Sequence, residues 1–224
     1  MIDVNPANFK LDLLHEDPNI IVLNKPINLN VHKGNNENEI TLVDILKAKN
    51  FSLSNMDSER AGIVHRLDKL TEGLMVIAKT ELAYEHLVNQ FKSKDIHKKY
   101  YAMVYGNVLS DEFEINKAIK RHPSKRHRMI CHTSGKASTS IVSVLKRFNS
   151  KTFVSIRPIT GRTHQIRVHM EANQHPVIGD PVYFKSKPGE AQLLQAYSLS
   201  FIHPTKGNRL TFVLPSSKRF LRNK

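Results

Sequence analysis

The stretch His65-Arg66-Leu67-Asp68-Lys69 sets one carboxylate among cations, just before an apolar run from Gly73 to Ala78. An aspartate flanked by positive groups stays ionised. Such a group is a poor general acid and a persistent anion or nucleophile. A second stretch, Lys98-Lys99-Tyr100-Tyr101-Ala102, leads basic residues directly into aromatics. Aromatic faces stack on unpaired bases, at about 1–3 kcal/mol per base. In a third, Gly161-Arg162-Thr163-His164-Gln165-Ile166-Arg167-Val168-His169, a glycine turn precedes a capped helix start. Such a start offers backbone N–H groups and the positive end of the helix dipole. His164 and Arg167, three apart, share one helix face, and Arg162 stands where the helix begins. An ionised carboxylate, a stacking tyrosine and an orienting arginine would suit chemistry on a flipped-out base. Each stretch also has a plainer reading: a surface turn with a local ion pair, a core tyrosine in a strand, an ordinary basic helix. The residues alone leave both readings open.

Charge narrows the partners. Lys and Arg number 34 against 20 Asp and Glu, a formal charge of +14. The excess is clustered. Residues 117–136 include Lys125, Arg126 and Arg128 and hold no acid. From Thr205 onward Lys206, Arg209, Lys218, Arg219, Arg222 and Lys224 follow, again without an acid. Cations gathered this way point to a polyanion, and nucleic acid is the first candidate.

Other chemistries lack their patterns. There is no Gly-x-x-x-x-Gly-Lys phosphate loop, no Gly-x-Gly-x-x-Gly and no His-Glu-x-x-His. Among 12 histidines the nearest to a ligand pair is His164 with His169. Five residues apart on a helix, they face nearly opposite ways. Cys131 is the single cysteine, so neither an internal disulfide nor a cysteine-built zinc site can form. No metal and no cofactor is expected. No apolar run reaches about 18 residues, so no transmembrane helix is expected. The N-terminus carries acids and no long apolar core, unlike a signal peptide. A cytoplasmic location fits.

The elements that must position these residues follow from periodicity. Strands are expected at 20–23, 74–78 and 100–105, a pair at 138–145 and 152–156, and a hairpin at 197–202 and 209–214. Thr41 with Asp44 reads as a helix start. Thr80 caps an amphipathic helix to Lys94, and 163–172 suits another. Residues 50–59 read as loop. Strands with helices inserted between some of them, without regular alternation, predict one α+β domain with a mixed, largely antiparallel twisted sheet flanked by helices. Its expected bounds are 20–215, after an extension or first strand at 1–19 and before a basic tail at 216–224.

The stretch "HRLDKLTEGLMVIAKT" resembles the catalytic motif of the RluA family of RNA pseudouridine synthases. "NKPINLNVH", "KKYYAMVYG", "ITGRTHQIRVHM", "HPVIGDPVY" and "FIHPTKG" resemble further motifs of that family, in the same order, from about Ile20 to Pro215. The resemblance implies the pseudouridine synthase fold and cofactor-free conversion of uridine in RNA to pseudouridine. It implies that Asp68 is the catalytic residue, that Tyr100 stacks on the target base and that Arg167 ion-pairs with the aspartate. Arg66 would fill the gap left by the flipped nucleotide. Asp68 would attack base or ribose, or abstract a ribose proton. RNA contacts are expected at His65, Arg66, Arg162, His164, Lys125, Arg126 and Arg128.

The sequence departs from the family pattern at three places. Glu72 stands where the family usually has Ser, Asn28 where it has Gly, and Gln195 where it has His. Glu72 is expected to bear on substrate choice. The chain begins almost at the catalytic domain, so target selection is expected to come from that domain itself, acting as a monomer. "IKRHPSKRHRMICHTSGKAST" looks like members acting on large-subunit ribosomal RNA, with transfer RNA as the alternative. A non-catalytic RNA-binding or ribosome-assembly protein would keep the fold, but intact Asp68, Tyr100 and Arg167 argue against it. A DNA-binding module finds no helix-turn-helix pattern.

Overall fold

The computed structural model describes residues 5–34, 38–56, 61–184 and 190–221. Arg222 and Lys224 of the basic tail, and residues 57–59 of the expected loop, lie outside these. In chain order the elements are β1 (Asp12–Glu16), β2 (Ile20–Lys25), α1 (Leu42–Ala48), β3 (Glu72–Ala78), α2 (Glu81–Ser93), β4 (His97–Tyr105), β5 (Glu112–Asn116), β6 (Ile119–Arg121), β7 (Met129–Cys131), β8 (Thr139–Arg147), β9 (Lys151–Pro158), α3 (Gln165–Ala172), β10 (Leu194–Ile202), β11 (Arg209–Val213) and α4 (Lys218–Leu221). The fold is α+β, as the sequence predicts. The chain divides into two compact units, residues 1–97 with 198–214, and residues 98–197 with 215–224.

In the first unit the strand order is β1-β2-β3-β10, with β11 on β10. The run Ile20-Ile21-Val22-Leu23 has no exposed surface. An unbroken apolar run of this length is what a strand covered on both faces requires. β2 pairs antiparallel with β3 from Ile20↔Ala78 to Lys25↔Gly73. Ala83 and Leu87 of α2 pack on Ile20, Val22, Leu74 and Val76. Each aliphatic side chain so buried contributes about 1.5–3 kcal/mol. The Thr80 hydroxyl caps α2, and Lys94 closes it in the left-handed conformation. Thr41 and Asp44 form the expected reciprocal cap on α1. Asn28 has φ 65. A family glycine there is free to adopt that backbone, and Asn is among the few other residues that tolerate it.

In the second unit the order is β10-β4-β9-β8-β5, with β6 and β7 forming a separate hairpin. Ile166 and Met170 of α3 pack on Ala102, Val104, Val142, Val154 and Ile156. β5 has no counterpart in the predicted elements. Its Glu-Phe-Glu-Ile-Asn alternation does bury Ile115 while exposing Glu112 and Glu114, the period of a strand with one wet face. β10 starts at Leu194, three residues before the expected Tyr197, because Leu194, Gln195 and Ala196 are buried in the strand despite their helical propensities. Gln195 spans to the C-terminal segment: its amide donates to Pro215 O (3.1 Å) and accepts from Ser217 N–H (3.0 Å).

One acid ties the turns of the first unit. Asp17 accepts from Asn19 N–H (2.8 Å) and Ile20 N–H (3.0 Å) after β1. The rings of buried His203 (2.7 Å) and of His15 (3.1 Å) bond its other oxygen. His203 Nδ1 accepts from the backbone N–H groups of Thr205 and Lys206, so its proton sits on Nε2, facing Asp17. Burial alone would raise the Asp17 carboxyl. The Asn19 N–H, His203, His15 and Ile20 N–H bonds outweigh it and hold the group well below the usual carboxylate range. A carboxylate lowered in the folded state contributes stability that is full above its unfolded value of about 4 and fades as pH falls below it. Asp17→Ala should therefore cost roughly 1.5–3 kcal/mol at pH 7. Thermal melts of both proteins from pH 7 to pH 3 should show that cost shrinking. A cost independent of pH would remove the charge on Asp17 from the account.

Candidate active site

The loop that carries Asp68 is folded back along β3. Gly62 comes first, at φ +76, so close to β3 that a Cβ would lie 2.1 Å from Ala78 O. Only glycine suits both the approach and the conformation. Ala78 N–H donates to Gly62 O (2.9 Å), and Ile63 bridges Ile77. His65 Nε2 then accepts from Val76 N–H (3.0 Å), and its ring lies 4.9 Å from that of Phe91. Leu67 plugs into the interior at 4% exposure. Asp68 follows, half-buried, and its carbonyl accepts from Thr71 N–H in a turn that starts β3. Three successive attachments to one buried strand thus fix the backbone on which the carboxylate sits.

The flanking cations have their own contacts. Lys69 pairs with Glu39, which also accepts from Asn30 Nδ2 (2.6 Å). The Lys69 ammonium is the main reason the Glu39 carboxyl titrates below its usual range. Exposed Arg66 donates to His32 Nε2 (3.1 Å). Buried Lys25 donates to Pro26 O, Leu29 O and, at 3.4 Å, Lys69 O, which links the loop after β2 to the loop carrying Asp68.

Asp68, His65 and Arg66 belong to the first unit, and Tyr100, Arg162, His164 and Arg167 to the second. Tyr100 lies on β4 opposite Ile156, half-buried against the cluster under α3. Lys98, on the same strand, is desolvated, which pulls its ammonium below the usual lysine range.

α3 starts at Gln165, later than the expected Thr163, and His164 at its N-cap (φ 55) makes no side-chain cap. Gln165, the first helical residue, braces the loop ahead of it. Its carbonyl accepts from Thr160 Oγ1 (2.7 Å) and Arg162 N–H (3.0 Å), while its amide donates to Thr139 O (2.9 Å) and Ser140 Oγ (3.0 Å). The loop bearing Arg162 is thereby pinned to β8, and the exposed Arg162 side chain reaches Ala137 O (3.3 Å). His169 is fully buried. Its Nε2 donates to Lys117 O (2.9 Å), which leaves Nδ1 to accept from Ser140 Oγ (3.0 Å). Burial lowers its affinity for a proton, so it is a neutral packing group.

Arg167 is 5% exposed. Its Nε and Nη2 donate to the two oxygens of fully buried Asp180, at 2.6 and 2.9 Å. Asp180 also accepts from the N–H groups of Val182 (2.9 Å) and Tyr183 (3.2 Å). The Arg167 guanidinium stands 5.1 Å from the Tyr183 ring centroid. The Tyr183 hydroxyl accepts from Met129 N–H (2.8 Å) and lies 3.0 Å from His164 Nδ1. Burial is the largest reason that hydroxyl is pushed up to about 12, so it stays protonated. Asp180 and Tyr183 fall in the motif-like stretch His175–Tyr183, yet nothing in their spacing from Arg167 announces the contact.

The cations of 117–136 are not equivalent. Lys125 and Arg126 are exposed in the β6–β7 turn. Arg128 instead bonds Glu171 (2.7 Å) and Val182 O (3.2 Å), with its guanidinium 5.1 Å from the Tyr183 ring centroid. Among the described residues no group of three His, Cys, Asp or Glu side chains could hold a metal ion, and no helix is long and apolar enough to cross a membrane.

Comparison with known proteins bears on the family and the fold. The pattern of the RNA pseudouridylate synthase family matches residues 19–172. An uncharacterized RNA pseudouridine synthase of Aquifex aeolicus is 40% identical over 98% of this chain and 73% of its own length. Ribosomal large subunit pseudouridine synthase D of Buchnera aphidicola is 41% identical over 96% of this chain and 72% of its own. The solved structure of human RNA pseudouridylate synthase domain containing 1 superposes with a TM-score of 0.77 at 25% identity, covering 96% of this chain and 86% of that one. The order of motifs, the α+β fold and these relatives lead to one conclusion: the chain belongs to the RluA family of RNA pseudouridine synthases and isomerises uridine in RNA to pseudouridine.

Proposed function

We propose that the substrate is large-subunit ribosomal RNA and that Asp68 is the catalytic carboxylate, acting on a uridine flipped out of its stack. Tyr100 stacks on the target base, Arg167 is the counter-charge the resemblance assigns to the carboxylate, and Arg66 occupies the gap the nucleotide leaves. The enzyme works as a monomer in the cytoplasm. The observation that carries this reading is the support under Asp68: a half-exposed acid on a loop stapled to a strand buried along nearly its whole length. A carboxylate that must meet one carbon of a moving base needs such a fixed origin. The ribosomal target is supported by the name of the Buchnera relative and by the exposed cations at Lys125 and Arg126. Arg162 and His164, in the loop pinned by Gln165, are read as further contacts to the same RNA.

The reaction cleaves the bond from ribose to the base nitrogen, turns the uracil and rejoins it through carbon 5, expelling the hydrogen at that carbon. Ribosomal RNA labelled with tritium at uracil carbon 5 therefore reports turnover as label released into water. Wild type should release it, while Asp68→Asn should fall to background and still bind the RNA within about tenfold, because the near-isosteric amide removes one negative charge and leaves the cationic phosphate contacts in place. Release by a folded Asp68→Asn would end the catalytic assignment. Release by wild type from transfer RNA and not from ribosomal RNA would move the substrate.

Lys125→Ala combined with Arg126→Ala should weaken RNA binding and flatten the slope of log affinity against log salt by about 0.7–0.9 for each phosphate no longer neutralised. Fluorescence titrations across a salt series measure this directly. An unaltered slope would take the β6–β7 turn off the RNA path.

A further inference from the structure

Arg128 sits at a junction. Its guanidinium bonds Glu171 on α3 and Val182 O in the turn after Asp180. α3 carries Arg167, one helical turn before Glu171, and the turn 180–183 carries its partner Asp180. One side chain from the turn end of the β6–β7 hairpin, just before β7, therefore clamps together the two segments whose spacing sets the Arg167–Asp180 pair. Tyr183 makes the same junction from the other end. Its hydroxyl takes the hairpin's Met129 N–H, its ring has both guanidiniums 5.1 Å from the centroid, and its N–H donates to Asp180. Its side chain packs with Ile119 and Val168.

The hairpin itself is slight. β6 and β7 pair with each other over three residues each and join no larger sheet among the described strands. A lone two-stranded hairpin is marginal in water. The contacts of Arg128 and Met129 hold its turn end in place, while the turn itself presents Lys125 and Arg126 to solvent.

We propose that Arg128 and Tyr183 are positioning residues, which couple the seating of the β6–β7 hairpin to the placement of the Arg167 guanidinium. This rests on reading Arg167 as part of the active site. Arg128, although it lies in the most basic stretch of the chain, is then a clasp and not a phosphate ligand. RNA held at Lys125 and Arg126 seats the hairpin, and the clasp passes that seating to Arg167.

The test compares Arg128→Ala, Glu171→Gln and Tyr183→Phe with wild type in tritium release, RNA affinity and its salt slope. Each variant should lower kcat by roughly tenfold, as a misplacement well under 1 Å does, with affinity and salt slope unmoved. The paired exchange Arg128→Glu with Glu171→Arg, which rebuilds the ion pair, should recover part of the lost rate. A rise in KM and a flatter salt slope at unchanged kcat would make Arg128 a phosphate ligand and overturn the proposal. Unchanged kcat in Glu171→Gln and Tyr183→Phe would overturn it as well, and these two decide the matter if Arg128→Ala does not fold. The Nε–Hε resonance of Arg167 gives a readout independent of turnover. It should shift in both milder variants, and a fixed resonance would refute the coupling. A wild type that releases no label from any RNA would instead sink the functional reading, with the resonance still judging the clasp.

Discussion

Much of the second unit hangs on one buried ion pair. Arg167 and Asp180 are nearly sealed from solvent, and two N–H groups from the following turn complete the acid's shell. Burying two charges costs several kcal/mol per ion unless the geometry and remaining hydrogen bonds are satisfied. Here a two-pronged guanidinium–carboxylate contact meets that condition. Removing Arg167 would leave the buried Asp180 charge without its guanidinium, at about 3–5 kcal/mol. The pair therefore locks α3 to the turn 180–183, and Tyr183, His164 and the β6–β7 hairpin take their places from that turn. It fixes where a guanidinium stands more than it stabilises the fold, since apolar residues of equal volume often pack as well.

The first unit solves a parallel problem by different means. Asp68 lies outside regular structure, where backbones are ordinarily mobile. Its loop is held by Gly62 against Ala78, Ile63 against Ile77 and the His65 ring against Val76 N–H. β3 under it is buried along nearly its whole length. Lys25, spending its charge on three carbonyls, ties in the loop after β2. Loop exposure and strand rigidity are combined in one residue position. His65 is the clearest case of a side chain that charge alone would send to RNA and that geometry engages with the backbone.

Local signals were readable wherever short-range chemistry decides the outcome. The caps at Thr41 and Thr80 join residues three positions apart, and the hairpin pairing Ile202 with Arg209 closes over seven. Motif order made the family and its fold legible as well. Pairings across sequence distance were not. Asp180 meets Arg167 from 13 residues away, Arg128 meets Glu171 from 43 and Met129 meets Tyr183 from 54. Periodicity carries no information on such pairings. The late start of α3 was hidden for a related reason: His164 stands at the N-cap in the left-handed conformation, and no capping side chain marks the boundary.

The acids explain how a chain with charge +14 sorts its cations. Glu39 holds Lys69, Asp180 holds Arg167 and Glu171 holds Arg128. A cation paired at close range has less field to offer a distant phosphate, since exposed charges are screened beyond about 8–10 Å. Lys125 and Arg126 have no acid within the segment 117–136 and stand exposed. Two positions farther on, Arg128 meets an acid from α3. A uniform basic face would bind RNA without register. Cancelling chosen cations internally leaves a sparser pattern of exposed ones, and a sparse pattern can align with phosphates at a particular spacing. Glu39, Asp180 and Glu171 thus have leverage beyond their number, because each turns a cation into a fixed strut.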